Sequence, residues 1–333
     1  AIESYKQAIK VKPEFAAAYG NLGNALREAG ELTEAIANFT HITKIKPDYA
    51  EGHYNLGIAL KEKGNLSAAV KSFEYAVAIS PDYVDAHFSL GNALLVSTKV
   101  SRDKVILEAA IKSYNQALRI SPDHADAHSN LGSALQEKGD MTKAIGSYIR
   151  ALEIKPDFII ARSFKLYQQA LICDWGAIET DRDLIPGLGV STDFVDPFTM
   201  LALEDHPARH RQRSELYSKN KYKGTSLAAF APPSKQPGKL RIGYFSGDFH
   251  VHPVMQLIVK MLELHDRSAF EIHGFSLGPD YDDDMRKRLL KSFDAFHDVR
   301  EMPDQNIAEL ARSQGIDIAI DLTGYTQNGR SDI

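Results

Sequence analysis

A single cysteine, Cys173, in 333 residues excludes an internal disulfide framework and fits a reducing, cytoplasmic compartment. No apolar run approaches the roughly 18 residues that a membrane span needs, so no membrane partner is expected. Basic runs are also missing. With 39 Lys and Arg against 44 Asp and Glu, the net charge of −5 withholds the positive footprint of a nucleic-acid binder. The C-terminal third holds no G-x-G-x-x-G and no P-loop, which removes the usual support for dehydrogenase and NTPase readings. One cysteine and no His-Glu-x-x-His pair leave no metal signal. What is present, 44% hydrophobic and 25% charged residues, is the composition of a folded protein with room for two or three domains.

Periodicity is the strongest positive signal. Pro13, Pro47 and Pro81 stand 34 residues apart, and so do Pro122 and Pro156, which is the period of the tetratricopeptide repeat. The step from Pro81 to Pro122 is 41, so one repeat carries a seven-residue insertion, expected in the turn around Val96 to Lys104. The same columns carry Leu-Gly pairs at Gly23, Gly57, Gly91 and Gly132. They also carry alanines at 35, 69, 110 and 144 and aromatics at Phe39, Phe73, Tyr114 and Tyr148. Each unit reads as a helical hairpin that buries its apolar face only by stacking on neighbours. Ala1 and the residues after it enter partway through a repeat, from which a fragment of a longer protein is expected. The sequons at Asn38 and Asn65 fall inside repeat helices and read as chance.

Two columns are not explained by packing. Before each Leu-Gly pair stand Asn21, Asn55, Ser89 and Asn130, on the first helix of each hairpin. Asparagine is a poor helix former. Its amide offers donor and acceptor together, so the row suits clasping the backbone of an extended peptide; a hydrogen bond within the repeats is the alternative. His53, His87 and His128 form the second column. Stacked repeats hold equivalent positions on the order of 10 Å apart, too far for a shared metal, and these histidines read as half-exposed helix residues.

From Phe158 the period is lost. Helical patterning continues over Ser163 to Ile172 and Pro207 to Ser218, with Cys173-Asp174-Trp175 between them and the sole tryptophan expected as a core anchor. The Pro- and Gly-rich stretch Ala231 to Gly238 reads as a linker. Beyond it strand and helix alternate, with strands at Leu240 to Ser246, Phe270 to Leu277, Phe296 to Val299 and Ile316 to Leu322. Such alternation predicts a parallel sheet with ligands beyond the carboxyl ends of its strands. The expected organisation is repeats over 1–157, a helical transition and linker over 158–238, and an α/β lobe over 239–333. At the strand ends lie His250 and His252, Gly278 to Asp280, and Asp321 to Thr326. Pro253 suits a first helical position, which makes His252 the cap; its ring either handles a hydroxyl proton or simply caps and packs.

The runs Leu240 to Phe249 with His252-Pro253, Phe270 to Leu277 and Asp317 to Thr326 resemble the amino-terminal catalytic lobe of the O-linked N-acetylglucosamine transferases, glycosyltransferase family 41. The repeats upstream, the asparagine row and the Cys-Asp-Trp connector are similar too. The resemblance implies a tetratricopeptide superhelix followed by one Rossmann-like lobe of a GT-B enzyme. The implied reaction is inverting and metal-independent, with no cofactor, and moves GlcNAc from UDP-GlcNAc to Ser or Thr of intracellular proteins. It makes His252 and Asp321 the expected catalytic residues and Thr323, Gly324, Tyr325 and Thr326 the loop beside acceptor and donor. It also gives the acceptor peptide to Asn21, Asn55 and Asn130. Relatives that transfer fucose or glucose leave the donor open between UDP-GlcNAc, GDP-fucose and UDP-glucose, and a non-catalytic repeat adaptor is the rival outside the enzymes. The family grips its donor mainly with a second lobe, so the 333-residue chain alone is expected to be inactive.

Overall fold

The computed structural model describes residues 1–101, 103–191, 193–221 and 238–324. The chain divides into two compact units, Ala1–Leu188 and Gly189–Ile333. The first unit is an array of helices: α1 (Ile2–Val11), then the pairs α2 (Ala16–Glu28) and α3 (Leu32–Ile45), α4 (Ala50–Glu62) and α5 (Leu66–Ile79), α6 (Val84–Ser101) and α7 (Lys104–Ile120), and α8 (Ala125–Lys138) and α9 (Met141–Ile154), followed by α10 (Ile159–Leu171). The 34-residue prolines sit directly after the C-caps Lys12, Lys46, Ser80, Ser121 and Lys155, where a ring without an N–H stops the helix.

Each pair closes through one contact. A Cβ added to Gly23, Gly57, Gly91 or Gly132 would lie 2.7, 2.6, 2.7 and 2.7 Å from the ring of Phe39, Phe73, Tyr114 and Tyr148 respectively. All four rings are fully buried. Where the ring is tyrosine, its hydroxyl has a partner: Tyr114 donates to Asn92 Oδ1 at 2.8 Å and Tyr148 to Gln136 Oε1 at 3.2 Å, as a buried phenol requires. The insertion does not make a longer turn, as expected from sequence. It lengthens the helices, α6 and α7 having 18 and 17 residues against 13 and 14 in α4 and α5, because extra helical turns keep their backbone groups paired.

The histidine column has a role that the sequence did not reveal. His53, His87 and His128 each bond through Nε2 to the carbonyl of the proline six residues earlier, at 3.0, 2.9 and 2.9 Å, tying the inter-repeat turn to the next first helix. In α10 Arg162 stands in the same column and bonds to the Pro156 carbonyl; it also reaches Asp181, which Lys165 grips as well. Trp175 is not the expected core anchor. It is 54% exposed, because the one-turn helix α11 (Trp175–Glu179), capped by Asp174, buries only Ile178. A 3-10 helix, Arg182–Gly187, closes this unit.

The second unit begins with α12 (Pro197–Met200) and α13 (Pro207–Lys221), joined through Glu204, which pairs with Arg209 and the fully buried Arg213. Residues 231–237 of the expected linker lie outside the described residues. Then come β1 (Leu240–Ser246), α14 (Pro253–Leu264), β2 (Phe270–Ser276), α15 (Asp284–Ser292), β3 (Ala295–Asp298), α16 (Asp304–Ser313) and β4 (Ile318–Asp321). All pairings are parallel and the strand order is β3-β2-β1-β4. Strand alternation sorts the core into two layers. Ile242, Tyr244 and Ile272 pack under α14 and α15 with Met255, Val259 and Leu289, whereas Phe245 and Phe275 pack with Val299 and Ile307 of the α16 side.

The two kinds of helical glycine give opposite expectations. Gly57→Ala drives a methyl into the Phe73 ring and should cost about 1–3 kcal/mol by overpacking. Gly146 lies inside α9 with nothing within 4 Å of an added Cβ, so Gly146→Ala should gain up to about 1 kcal/mol from helix propensity. Thermal melts of the two variants check both signs.

Candidate active site

Strands β1, β2 and β3 are added in one direction with α14 and α15 on one face; α16 then crosses on the other face and delivers β4 to the far side of β1. The strand order therefore reverses between β1 and β4. In open parallel sheets ligands bind at this switch, outside the carboxyl ends of the strands. The two loops there are 247–252 after β1 and 322–324 after β4. They are joined through the Leu322 N–H, which donates to the Phe245 carbonyl at 3.0 Å, and the Gly247 N–H, which reaches Thr323 Oγ1 at 3.5 Å.

His252 is the N-cap of α14, with Pro253 next to it as the spacing predicted. Its Nδ1 accepts the Val254 N–H at 3.3 Å. A neutral imidazole with Nδ1 accepting carries its proton on Nε2, so the remaining nitrogen donates. The cap bond thus takes up the accepting nitrogen, which is the capping role that the sequence offered for this ring. Asp248 lies 3.8 Å from His252 Nδ1 and 3.9 Å from His250 Nε2. The His250 ring sits 4.2 Å from that of Tyr281.

The loop is held from beneath by the start of α15. Asp283 caps that helix, its Oδ1 accepting the Arg286 N–H at 2.7 Å, while Oδ2 accepts the Val251 N–H at 2.9 Å. These two backbone donors hold its carboxyl below the ordinary carboxylate range. Arg286 is almost fully buried. It donates to the Phe249 carbonyl at 3.3 Å, to Ser276 Oγ at 2.9 Å and to Asp280 Oδ1 at 3.1 Å, and its guanidinium lies 4.6 Å from the centre of the Phe296 ring. One side chain thus ties the first-strand loop to the second-strand loop. Sequence reading named neither Asp283 nor Arg286; the only signal was an arginine three residues into a helix that opens under the first loop.

Asp321 Oδ1 accepts the N–H groups of Thr323 and Gly324 at 2.8 and 2.9 Å, which folds the loop back over the end of β4. Thr323 is buried, and Gly324 has a φ of 56°, in the left-handed region that favours glycine. Tyr325 and Thr326 lie outside the described residues. In the repeat unit Asn21 is exposed and Asn55 half-buried, while Asn130 Nδ2 donates to Asn92 Oδ1 at 2.7 Å, an inter-repeat bond that leaves its Oδ1 to accept. Among the described residues no three metal-binding side chains come together, and no helix is long and apolar enough to cross a membrane.

Arg286→Met removes charged hydrogen bonds to buried partners, each worth about 1.5–3 kcal/mol, and should destabilise the second unit on that order in urea unfolding. Asp283→Asn keeps an oxygen for the helix cap but loses the acceptor for Val251, so the Val251 amide should exchange with deuterium faster at nearly unchanged global stability.

Comparison with known proteins finds relatives for both parts of the chain. The family model described as glycosyl transferase family 41 matches residues 209–333. Tetratricopeptide repeat models match 1–26, 23–64, 59–95, 107–139 and 125–158. A probable UDP-N-acetylglucosamine–peptide N-acetylglucosaminyltransferase of Arabidopsis thaliana is 34% identical over 104 residues, 30% of this chain and 11% of the relative. The Caenorhabditis elegans UDP-N-acetylglucosamine–peptide N-acetylglucosaminyltransferase is 34% identical over 96 residues, 28% of this chain and 8% of the relative. The matched part thus spans roughly a tenth of these relatives' length. A solved structure of a mutant Thermobaculum terrenum O-GlcNAc transferase aligns with 85% of this chain and 47% of its own, at 25% identity and a TM-score of 0.41. Residues 209–333, which hold the parallel α/β sheet with its switch point at β1, thus match glycosyl transferase family 41, and tetratricopeptide repeats precede them in the chain.

Proposed function

We propose that the chain is the repeat and acceptor-side part of a cytoplasmic protein O-GlcNAc transferase of the GT-B kind. The observation that carries this reading is the meeting of the His252 loop and the Asp321–Thr323 loop at the β1/β4 switch point, within a family-41 domain. In an inverting transfer the Ser or Thr hydroxyl oxygen bonds to the anomeric carbon of GlcNAc, the bond from that carbon to the phosphate oxygen breaks with its electron pair leaving on UDP, and the hydroxyl proton passes to water or to an oxygen of the leaving diphosphate. With Nδ1 capping α14, His252 serves this step as an Nε2–H donor to a substrate oxygen. Asp321 shapes the facing loop through its two backbone bonds. Asn21, Asn55 and Asn130 address the acceptor backbone. That no cofactor and no metal take part follows from the family resemblance.

In the full-length protein His252→Ala should lower transfer from labelled UDP-GlcNAc by about a hundredfold or more, the cost of losing a donor aimed at developing charge. His252→Asn keeps a cap acceptor and should lose turnover with little loss of melting temperature. His250→Ala should stay within a few-fold of wild type once stability is matched. GDP-fucose and UDP-glucose in the same assay identify the donor, and the 333-residue chain alone should stay at background. Full turnover of the folded His252 variants would remove that residue from the site.

A further inference from the structure

The second helices of consecutive repeats leave a groove over the first helix between them, and the columns of the array allow the grooves to be compared. Between α7 and α9, over α8, this groove opens to about 610 Å³. Leu118, Leu131 and Leu135 form an apolar floor, Arg119, Lys143 and Arg150 the rim, and no carboxylate is among the lining residues. The three cations occupy columns that hold Ala78, Ala109 and Gln116 one groove earlier. Two grooves earlier the columns hold Lys44, Ala68 and Tyr75, and the Tyr75 ring lies 5.3 Å from His53 across the equivalent space.

A second observation is independent of charge. Gly146, in the interior of α9, lines the same groove, where the column otherwise holds Ala37, Lys71 and Lys112. A helix-interior glycine is a poorer helix former than alanine. At Gly57 that cost is explained by the ring pressed on it, but at Gly146 nothing lies within 4 Å of an added Cβ. The fold does not need this glycine; a chain laid in the groove does, since it can then approach the α9 backbone. The rim cations are available as well. Lys143 pairs with Asp140 at 2.8 Å, Arg150 with Glu153, and Arg119 Nε with the Gln116 amide oxygen at 3.1 Å. Exposed pairs of this kind are weak and exchange readily for an incoming carboxylate.

We propose that this groove docks a peptide segment of a partner protein in which carboxylates flank an apolar side chain, the apolar group resting on Leu118, Leu131 and Leu135 and the carboxylates on Arg119, Lys143 and Arg150. It is distinct from the asparagine row. At about 100° per residue, His128, Leu131 and Leu135 point about 100–160° away from Asn130 around α8. The groove therefore engages a partner while the row stays open.

The probe is a fluorescein-labelled peptide with a Glu-Glu-Leu-Glu-Glu centre, titrated by anisotropy against the full chain. Binding tighter than millimolar is expected, weakening with salt as screened charges do. Counterparts with Lys for Glu, or with Ala for Leu, should bind at least about tenfold more weakly. Gly146→Leu, which fills open space, and the exposed pair Arg119→Glu with Arg150→Glu should each reduce affinity by at least about tenfold with melting temperature held or raised. Changing Asn21, Asn55 and Asn130 to Ala should leave it unchanged. The proposal is overturned by no binding below millimolar, by equal binding of the Lys peptide, by near-wild-type affinity in the folded groove variants, or by loss of binding in the asparagine variant.

Discussion

The parallel pairing of β4 with the free edge of β1 brings two loops together that are 70 residues apart in sequence. It depends on α16 crossing the face opposite to α14 and α15, which the alternation of β1 permits because Tyr244 and Phe245 serve different layers. With that pairing in place, the Leu322 and Gly247 bonds lock the two loops at one crevice. Were β4 added beside β3, the Asp321 loop would stand three strands from His252 and no shared site would form.

The crevice is shaped more by its supports than by the residues that face it. Arg286 and Asp283 engage the carbonyl and N–H groups of the first loop, so the loop is fixed through its backbone while His250 and His252 keep their side chains partly exposed. A buried guanidinium with three partners and an aromatic face is costly to displace. That rigidity favours a site that positions its ligand over one that closes on it.

In the repeats the corresponding constraint is the glycine–aromatic contact. It sets how near the two helices of each hairpin come, and it accounts for the helix-interior glycines at 23, 57, 91 and 132. Polar columns then take secondary duties: histidines tie the inter-repeat turns, and Asn92 accepts from both Tyr114 and Asn130. Part of the asparagine row is thus built into the array rather than held apart from it.

The sequence by itself determined the repeat period, the glycine and aromatic columns, the parallel α/β class and the placement of His252 before Pro253, because each is a local pattern with one steric solution. It did not determine where β4 would insert, since strand order depends on which face a crossover helix covers. The tautomer of His252 was equally hidden, being set by the Val254 N–H of the helix that it caps. Trp175 was misread because burial is decided by neighbours distant in sequence, and a one-turn helix offered it none. Arg286 and Gly146 look like ordinary helix residues in the sequence; only the tertiary structure shows the guanidinium buried beneath a loop and the glycine facing open space, because both are properties of what surrounds a residue.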